Sequence, residues 1–393
     1  MNTRRAFLAS ASGLALAAFA GPLRAESGAL GPDSLPAGTL GASELSALPG
    51  KAPLIKKTWR PPNFETPVSY LREAFTPNDA FFVRYHVAAV PEIAAHQWRL
   101  EVAGDALDKP HTFTLGQLRS EFESVEVNAL CQCSGNRRGL FDPHVPGVQW
   151  GYGAMGNARW RGVRLRDVLV RAGLSKTAVE IVLDGADGAV LPATPDFVKS
   201  IPAWKAMDEN TLLAYEMNGE PLSPDHGAPF RIIVPHWYAV ASVKWLKRID
   251  VLTEPYTGEF QTGHYMYEWP DRPHESVDLM RVRARITDPA PASTINVGTR
   301  TVRGKAWSGA GPVTRVDVSL TGEGDWHAAQ LEPPKGPYQW QDWSFDWEAT
   351  DVGRHTLRAR ATDAAGNVQP EVPPWNRLGY GNNAIEVSYV DVR

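Results

Sequence analysis

The chain changes character near Met280, and that break limits its fold more than any other feature. From about Pro61 to Pro273 short β-favouring runs alternate with short helical patterns. Trp98–Val102 alternates apolar and polar residues, while Phe81–Val87, Glu180–Leu183 and Phe230–Val234 are rich in apolar, β-favouring side chains. Each reads as a strand. Thr114–Glu121 reads as a helix with Thr114 as its N-cap, and Leu165–Ala172 as another that ends near Gly173. After Met280 the helical patterns stop. Thr301–Trp307, Arg315–Leu320, His355–Thr362 and Ala384–Val392 read as strands separated by Gly, Pro, Asp and Asn turns. The expected architecture is an α+β domain over 61–280, then an immunoglobulin-like antiparallel β-sandwich over 281–393.

The first sixty residues belong to neither domain. Thr3-Arg4-Arg5-Ala6-Phe7-Leu8 precedes an alanine-rich apolar stretch, Ala9 to Ala20, and Leu23-Arg24-Ala25 supplies a small residue for cleavage. Residues 1–25 therefore read as an export signal of the twin-arginine kind. That route typically carries proteins already folded, often around a cofactor, and its destination is the periplasm. Residues 26–60, rich in Gly, Pro, Ala and Ser, read as an extended N-terminal arm. No other apolar stretch approaches the ~20 residues of a membrane span. Loss of Arg4, Arg5 and Arg24 with the signal moves the formal charge from −4 to −7. That balance makes the chain a poor candidate for general nucleic-acid binding, which depends on neutralising phosphates.

Chemistry concentrates in Cys131-Gln132-Cys133-Ser134-Gly135-Asn136-Arg137-Arg138, at the end of the apolar run Val125–Leu130. These are the only two cysteines in 393 residues. A thiolate is a soft metal ligand, and neighbouring guanidinium groups lower a thiol pKa and attract oxyanions. A disulfide is one alternative. At i, i+2 on an extended strand the Cα atoms stand about 7 Å apart, at the outer limit for bridging. Two inert core thiols are another. The favoured reading is one functional thiolate with a neighbour that packs.

Six segments in order carry a resemblance: Phe82-Val83-Arg84-Tyr85-His86, Cys133-Ser134-Gly135-Asn136-Arg137-Arg138, Met207-Asp208 with Leu213–Gly219, Asp225-His226-Gly227, Arg231–Pro235 and Ser242–Leu246. Across most of 60–393 the chain resembles the sulfite oxidase family of molybdenum enzymes. The resemblance implies a sulfite-oxidase-type domain binding molybdenum-molybdopterin, with Cys133 as the metal ligand and a pterin dithiolene adding two sulfurs. It places Arg84 and Arg138 in a substrate pocket, with His86 beside Arg84 and the phenol of Tyr265 near the metal. Arg137 would point away. Arg377, from Trp375-Asn376-Arg377 in the second domain, is expected to reach the same pocket. His226, Arg231 and Lys244 are expected on the cofactor's phosphate. Arg231 and Lys244 otherwise stand as costly charges within apolar β runs. Phe82, Ser242 and, on the polar pterin edge, Asp184 complete the expected cofactor contacts.

The implied reaction is oxidation of sulfite to sulfate by oxygen-atom transfer. No Cys-x-x-Cys-His haem attachment site exists in the chain, so no haem is expected in it. Electrons are expected to pass to a separate carrier, a periplasmic c-type cytochrome, from a homodimer joined through the β-domain. The alternatives are a sulfane dehydrogenase component of a thiosulfate-oxidising system and a non-catalytic periplasmic binding protein on the same fold.

Overall fold

The computed structural model describes residues 45–393, apart from 47, 88, 189, 190, 192 and 193. The twin-arginine segment and most of the arm lie outside the described residues. The end of the arm is not simply extended. Leu45–Ser46, Leu54–Trp59 and Pro62–Glu65 form a three-stranded antiparallel sheet. Leu54 and Ile55 bury their side chains, which ties the arm to the domain.

Two five-stranded sheets build the first domain. One runs in the order Glu220–Pro221, Leu212–Met217, Met155–Arg164, Ser124–Gln132, with Arg231–Ile233 also paired to Leu212–Met217. The other runs His111–Thr114, Arg99–Ala103, Leu246–Leu252, Glu180–Gly185, Val198–Pro202, with only the pairing of Leu246–Leu252 to Arg99–Ala103 parallel. Leu100, Leu169, Leu183, Leu213, Phe230 and Ile249 belong to one apolar core shared by both sheets and the short helices. The helix Leu115–Glu121 begins as expected. Thr114 Oγ1 accepts from Gln117 N, and the Gln117 side chain accepts from Thr114 N, a reciprocal cap. The helix Leu165–Arg171 stops before Gly173, whose φ of 85° suits a residue without a Cβ.

Phe81–Val87 is not a strand. Val83 makes a single bridge with Phe64, and the side-chain oxygen of Asn63 takes the amide of Tyr85 at 2.9 Å. A side chain thus supplies the partner that a ladder would have provided. The segment stays extended, and Arg84 and His86 still face the same cavity.

The second domain is two facing sheets. One orders Arg283–Asp288, Gly298–Trp307, Gln341–Ala349, Gln330–Leu331. The other orders Thr294–Ile295, Glu386–Val392, Gly353–Asp363, Val313–Ser319, His327–Ala328. Val302, Val318, Trp343, Leu357 and Val390 fill the space between them. Among the described residues no helix forms after Gly263, and none is long and apolar enough to cross a membrane.

A buried charge cluster of the second domain faces the first, where Arg285 packs over the Tyr152 ring at 4.4 Å. Glu386 takes Arg283 and, at 2.8 Å, Arg285, and both arginines are nearly inaccessible. Burial alone would raise the Glu386 pKa. Arg285, Arg283 and then Arg137 reverse this and hold it at about 2, from an ordinary 4.5. A depressed carboxylate stabilises the fold above its unfolded pKa, and that contribution disappears as pH falls from about 4.5 toward 2. Glu386→Gln should cost roughly 3–5 kcal/mol at pH 7 by leaving buried guanidinium groups without a counter-charge. It should also flatten stability against pH in that acid window. Denaturant unfolding at pH 7 and pH 3.5 checks both, and a loss below about 1 kcal/mol at pH 7 would refute the assignment.

Candidate active site

A recess between the two sheets of the first domain gathers most of the expected residues. It encloses about 760 Å³ of empty space, solvent mouth included. The strand Ser124–Gln132 leads into it. Val125, Val127, Ala129, Cys131 and Cys133 share one apolar cluster, the alternation that strand geometry imposes. Cys131 lies inside that cluster, where burial pushes its thiol pKa up. Cys133 follows the strand's last residue and is only half-buried. Both thiols are free. Beyond Cys133 the chain turns tightly. Asn136 N donates to Cys133 O and Arg138 N to Gly135 O, both at 2.9 Å, and Arg137 adopts a left-handed φ of 68°.

The deep end is cationic. Arg231 donates to the carbonyls of His226 and Ser242 at 3.2 and 3.0 Å, but its buried Nε has no partner. Lys244 donates to Asp225 O at 2.9 Å and lies over the Trp245 ring. Among the described residues neither cation has a carboxylate within 4.0 Å. Burial first, then repulsion from Arg231, drives the Lys244 pKa well down. The His226 pKa also falls well below 6.5, through burial and then the charges of Lys51, Arg231 and Lys244. Such an array is unfavourable unless an anion joins it.

Phe82, Arg84, His86 and Tyr265 also line the recess. Arg84 has one bond to Asn63 Oδ1 at 3.4 Å, so most of its donors remain available. His86 Nε2 sits 3.0 Å from Pro195 O. A carbonyl only accepts, so Nε2 carries the proton and Nδ1 is a free acceptor. Burial lowers the His86 pKa, with Arg84 adding to the effect, and the ring is neutral at pH 7. Tyr265 holds a left-handed φ of 58° and stacks on Tyr380 of the second domain at 5.1 Å. Burial raises its pKa, so its phenol keeps its proton.

Three expected residues lie elsewhere. Asp184 pairs with Lys247 at 3.1 Å outside the recess, and Asp187 lines it instead. Arg377 pairs with Glu268 at the surface, with two-thirds of its side chain exposed. Arg138 does not line the recess. It donates to Leu378 O at 3.1 Å and Val148 O at 3.4 Å, and packs over Tyr380. Gly135 and Gly379 leave room for it, since a Cβ at either would come within 2.9 Å of its side chain. Arg137 points away, to Ala384 O in the second domain. Sequence reasoning missed Asp187, three positions from Asp184, and Asp225, which sits inside the quoted Asp-His-Gly segment.

Among the described residues no three His, Cys, Asp or Glu side chains converge as a metal cage. A metal held here would need ligands that a cofactor carries in. Residues 86–260 match the oxidoreductase molybdopterin binding domain, and 274–389 the Mo-co oxidoreductase dimerisation domain. The chain is 35% identical to sulfite oxidase of Gallus gallus over 376 residues, covering 90% of this chain and 81% of that one. It is 38% identical to the mitochondrial sulfite oxidase of Drosophila melanogaster over 354 residues, 83% of this chain. It belongs to the sulfite oxidase family. The chain spans 61% of the length of the Drosophila protein. The crystal structure of the sulfane dehydrogenase SoxCD from Paracoccus pantotrophus superposes with a TM-score of 0.76 at 28% identity, over 89% of this chain and 88% of that one.

The molybdenum cofactor of this family fits the recess. Arg231 offers an unpartnered Nε and Ser134 an unpartnered Oγ. Arg231, Lys244 and His226 would take its phosphate, Asp187 and Ser242 would flank the pterin, and Cys133 would offer its sulfur to the metal. Cys133→Ser should abolish the thiolate-to-metal absorption band and lower turnover at least 100-fold, whereas Cys131→Ser should keep both within severalfold. Visible spectra and steady-state rates on molybdenum-loaded protein check this, and an intact band in Cys133→Ser would exclude Cys133 as the ligand.

Proposed function

We propose that the protein is a periplasmic sulfite dehydrogenase. Sulfite gains one oxygen, derived from water, and releases two electrons and two protons as it becomes sulfate. The bound cofactor supplies the oxygen and accepts the electron pair. The chain's own residues do the rest. Arg84, with donors free, holds the oxyanion through charge-assisted bonds. Tyr265, protonated at neutral pH, stands beside Cys133 with a phenol hydrogen to donate. Neutral His86 presents Nδ1 as a proton acceptor at the mouth. Arg138 acts from behind the wall by bracing the Cys133 turn, not by touching substrate.

One observation carries this reading: Cys133, Arg84, His86 and Tyr265 line a single recess. The Thr3–Leu8 segment supports export by the twin-arginine route. With both cysteines accounted for, the chain offers no covalent haem site, and a c-type cytochrome outside it is the proposed acceptor. The dimerisation-domain match over 274–389 supports a homodimer. A second reading is a sulfane dehydrogenase acting on carrier-bound sulfur, and likeness to the sulfane dehydrogenase SoxCD supports it.

Enzyme exported by its native route is to be assayed with free sulfite and either ferricyanide or cytochrome c. Sulfite-dependent reduction, with little hydrogen peroxide when oxygen is the sole acceptor, is the expected result. Turnover only with carrier-bound sulfur would establish the second reading. Arg84→Gln should raise the apparent KM for sulfite roughly 10- to 100-fold, the value of a charge-assisted hydrogen bond, at unchanged molybdenum content. An unchanged KM would remove Arg84 from substrate binding.

A further inference from the structure

Lys51 brings the N-terminal arm against the cationic end of the recess. Its backbone N donates to Leu48 O at 2.9 Å, and Ala52 N donates to Asp79 O at 3.1 Å. The arm is thus folded onto the loop that leads to Phe82. The ammonium donates to Asn78 O at 2.5 Å and Phe81 O at 3.2 Å, and its third contact is His226 Nε2 at 2.5 Å. An ammonium has hydrogens and no lone pair, so Nε2 must accept and the His226 proton sits on Nδ1. A surface groove lined by Lys51 and Asn78 reaches the recess at Asp225 and His226, the two residues common to both.

A lysine whose only task is to tie down a loop has no reason to sit there. Lys51 joins Arg231 and Lys244, and among the described residues none of the three has a carboxylate within 4.0 Å. Burial lowers its pKa to about 8, against the opposing pull of Asp225 and Asp79. It therefore remains charged at neutral pH and repels its neighbours until an anion arrives.

We propose that Lys51 is a positioning residue for the cofactor's anionic end. From the arm it fixes His226 as an Nδ1–H donor and places a buried positive charge behind that ring. Arm docking and cofactor retention are then linked, and linkage is reciprocal: if the arm holds the phosphate, the phosphate holds the arm. This inference rests on the family's cofactor and not on which sulfur compound is oxidised. Its test involves no substrate.

The primary measurement is the rate of pterin release from molybdenum-loaded protein, followed by pterin fluorescence. Lys51→Met should release the cofactor on the order of tenfold faster than wild type, and Lys51→Arg, which keeps the charge, should restore most of the difference. Amide hydrogen exchange over 48–54 is the second measurement. In wild type those amides should exchange on the order of tenfold more slowly with cofactor bound than without, and Lys51→Met should erase that contrast. A release rate equal to wild type in Lys51→Met overturns the proposal. So does faster exchange of the arm by the same factor in loaded and cofactor-free protein, which would mark Lys51 as a tether alone.

Discussion

The turn from Cys133 to Arg138 is held in place by residues 378–384 of the second domain, mostly through their main chain. Gly381 N donates to Ser134 O at 2.8 Å, Asn382 Nδ2 to Arg137 O at 3.1 Å and Arg138 Nε to Leu378 O at 3.1 Å. Arg137 reaches back to Ala384 O. The turn carries Cys133, so its position sets where a metal bound to that thiol would sit. Hydrogen bonds from rigid backbone hold a short loop more closely than side-chain packing does, and sites of this kind lose rate steeply when displaced by an ångström.

Buried positive charge runs through both halves of the molecule with opposite outcomes. At the domain junction, Arg283 and Arg285 have Glu386, whose carboxylate they hold ionised. In the recess, Arg231 has backbone carbonyls and the Cys131 thiol, and Lys244 a backbone carbonyl, but among the described residues neither is paired with a carboxylate. Carbonyl dipoles satisfy donors but do not cancel charge. The first cluster is complete within the protein. The second is completed by a bound anion, and it is in the second that the lysine and histidine pKa values fall. Stability contributed by the first is what allows the second to be left unbalanced.

Much of this was legible from residue order. The extended run into Cys133 follows from its apolar, β-favouring residues, the Thr114 cap from its place just ahead of a helical pattern, and the change near Met280 from the loss of helical patterns. Arg231 and Lys244 were expected on the cofactor from the family resemblance, and their place as charges inside apolar runs agreed with it. What was not legible depended on pairing at a distance. Asn63 replaces a strand partner for Tyr85, which no local pattern reveals. Arg377 was expected in the recess from its place in the sequence, yet Glu268, 109 residues away, holds it at the surface. Asp184 and Asp187 differ by three positions and a turn of the backbone, and composition does not separate them. Lys51 was lost within a segment read as an arm.

The β-domain's share in the site also differs from the one expected. The anticipated contribution was a guanidinium from Arg377. What it supplies is a ring and a set of carbonyls and amides. Tyr380 packs against Tyr265 on one side and Arg138 on the other. Gly379 makes that possible, because a side chain there would occupy the space of Arg138. Leu130 N of the strand before Cys131 donates to Tyr338 O, and Trp307 Nε1 to Gln132 Oε1, both at 2.8 Å. Every residue from Leu130 to Arg138 is thus within one or two positions of a hydrogen bond to the second domain. A domain matched as a dimerisation module is also part of the frame that aims the thiol. Changes at its buried face should therefore register first in the geometry around Cys133, before any change in assembly.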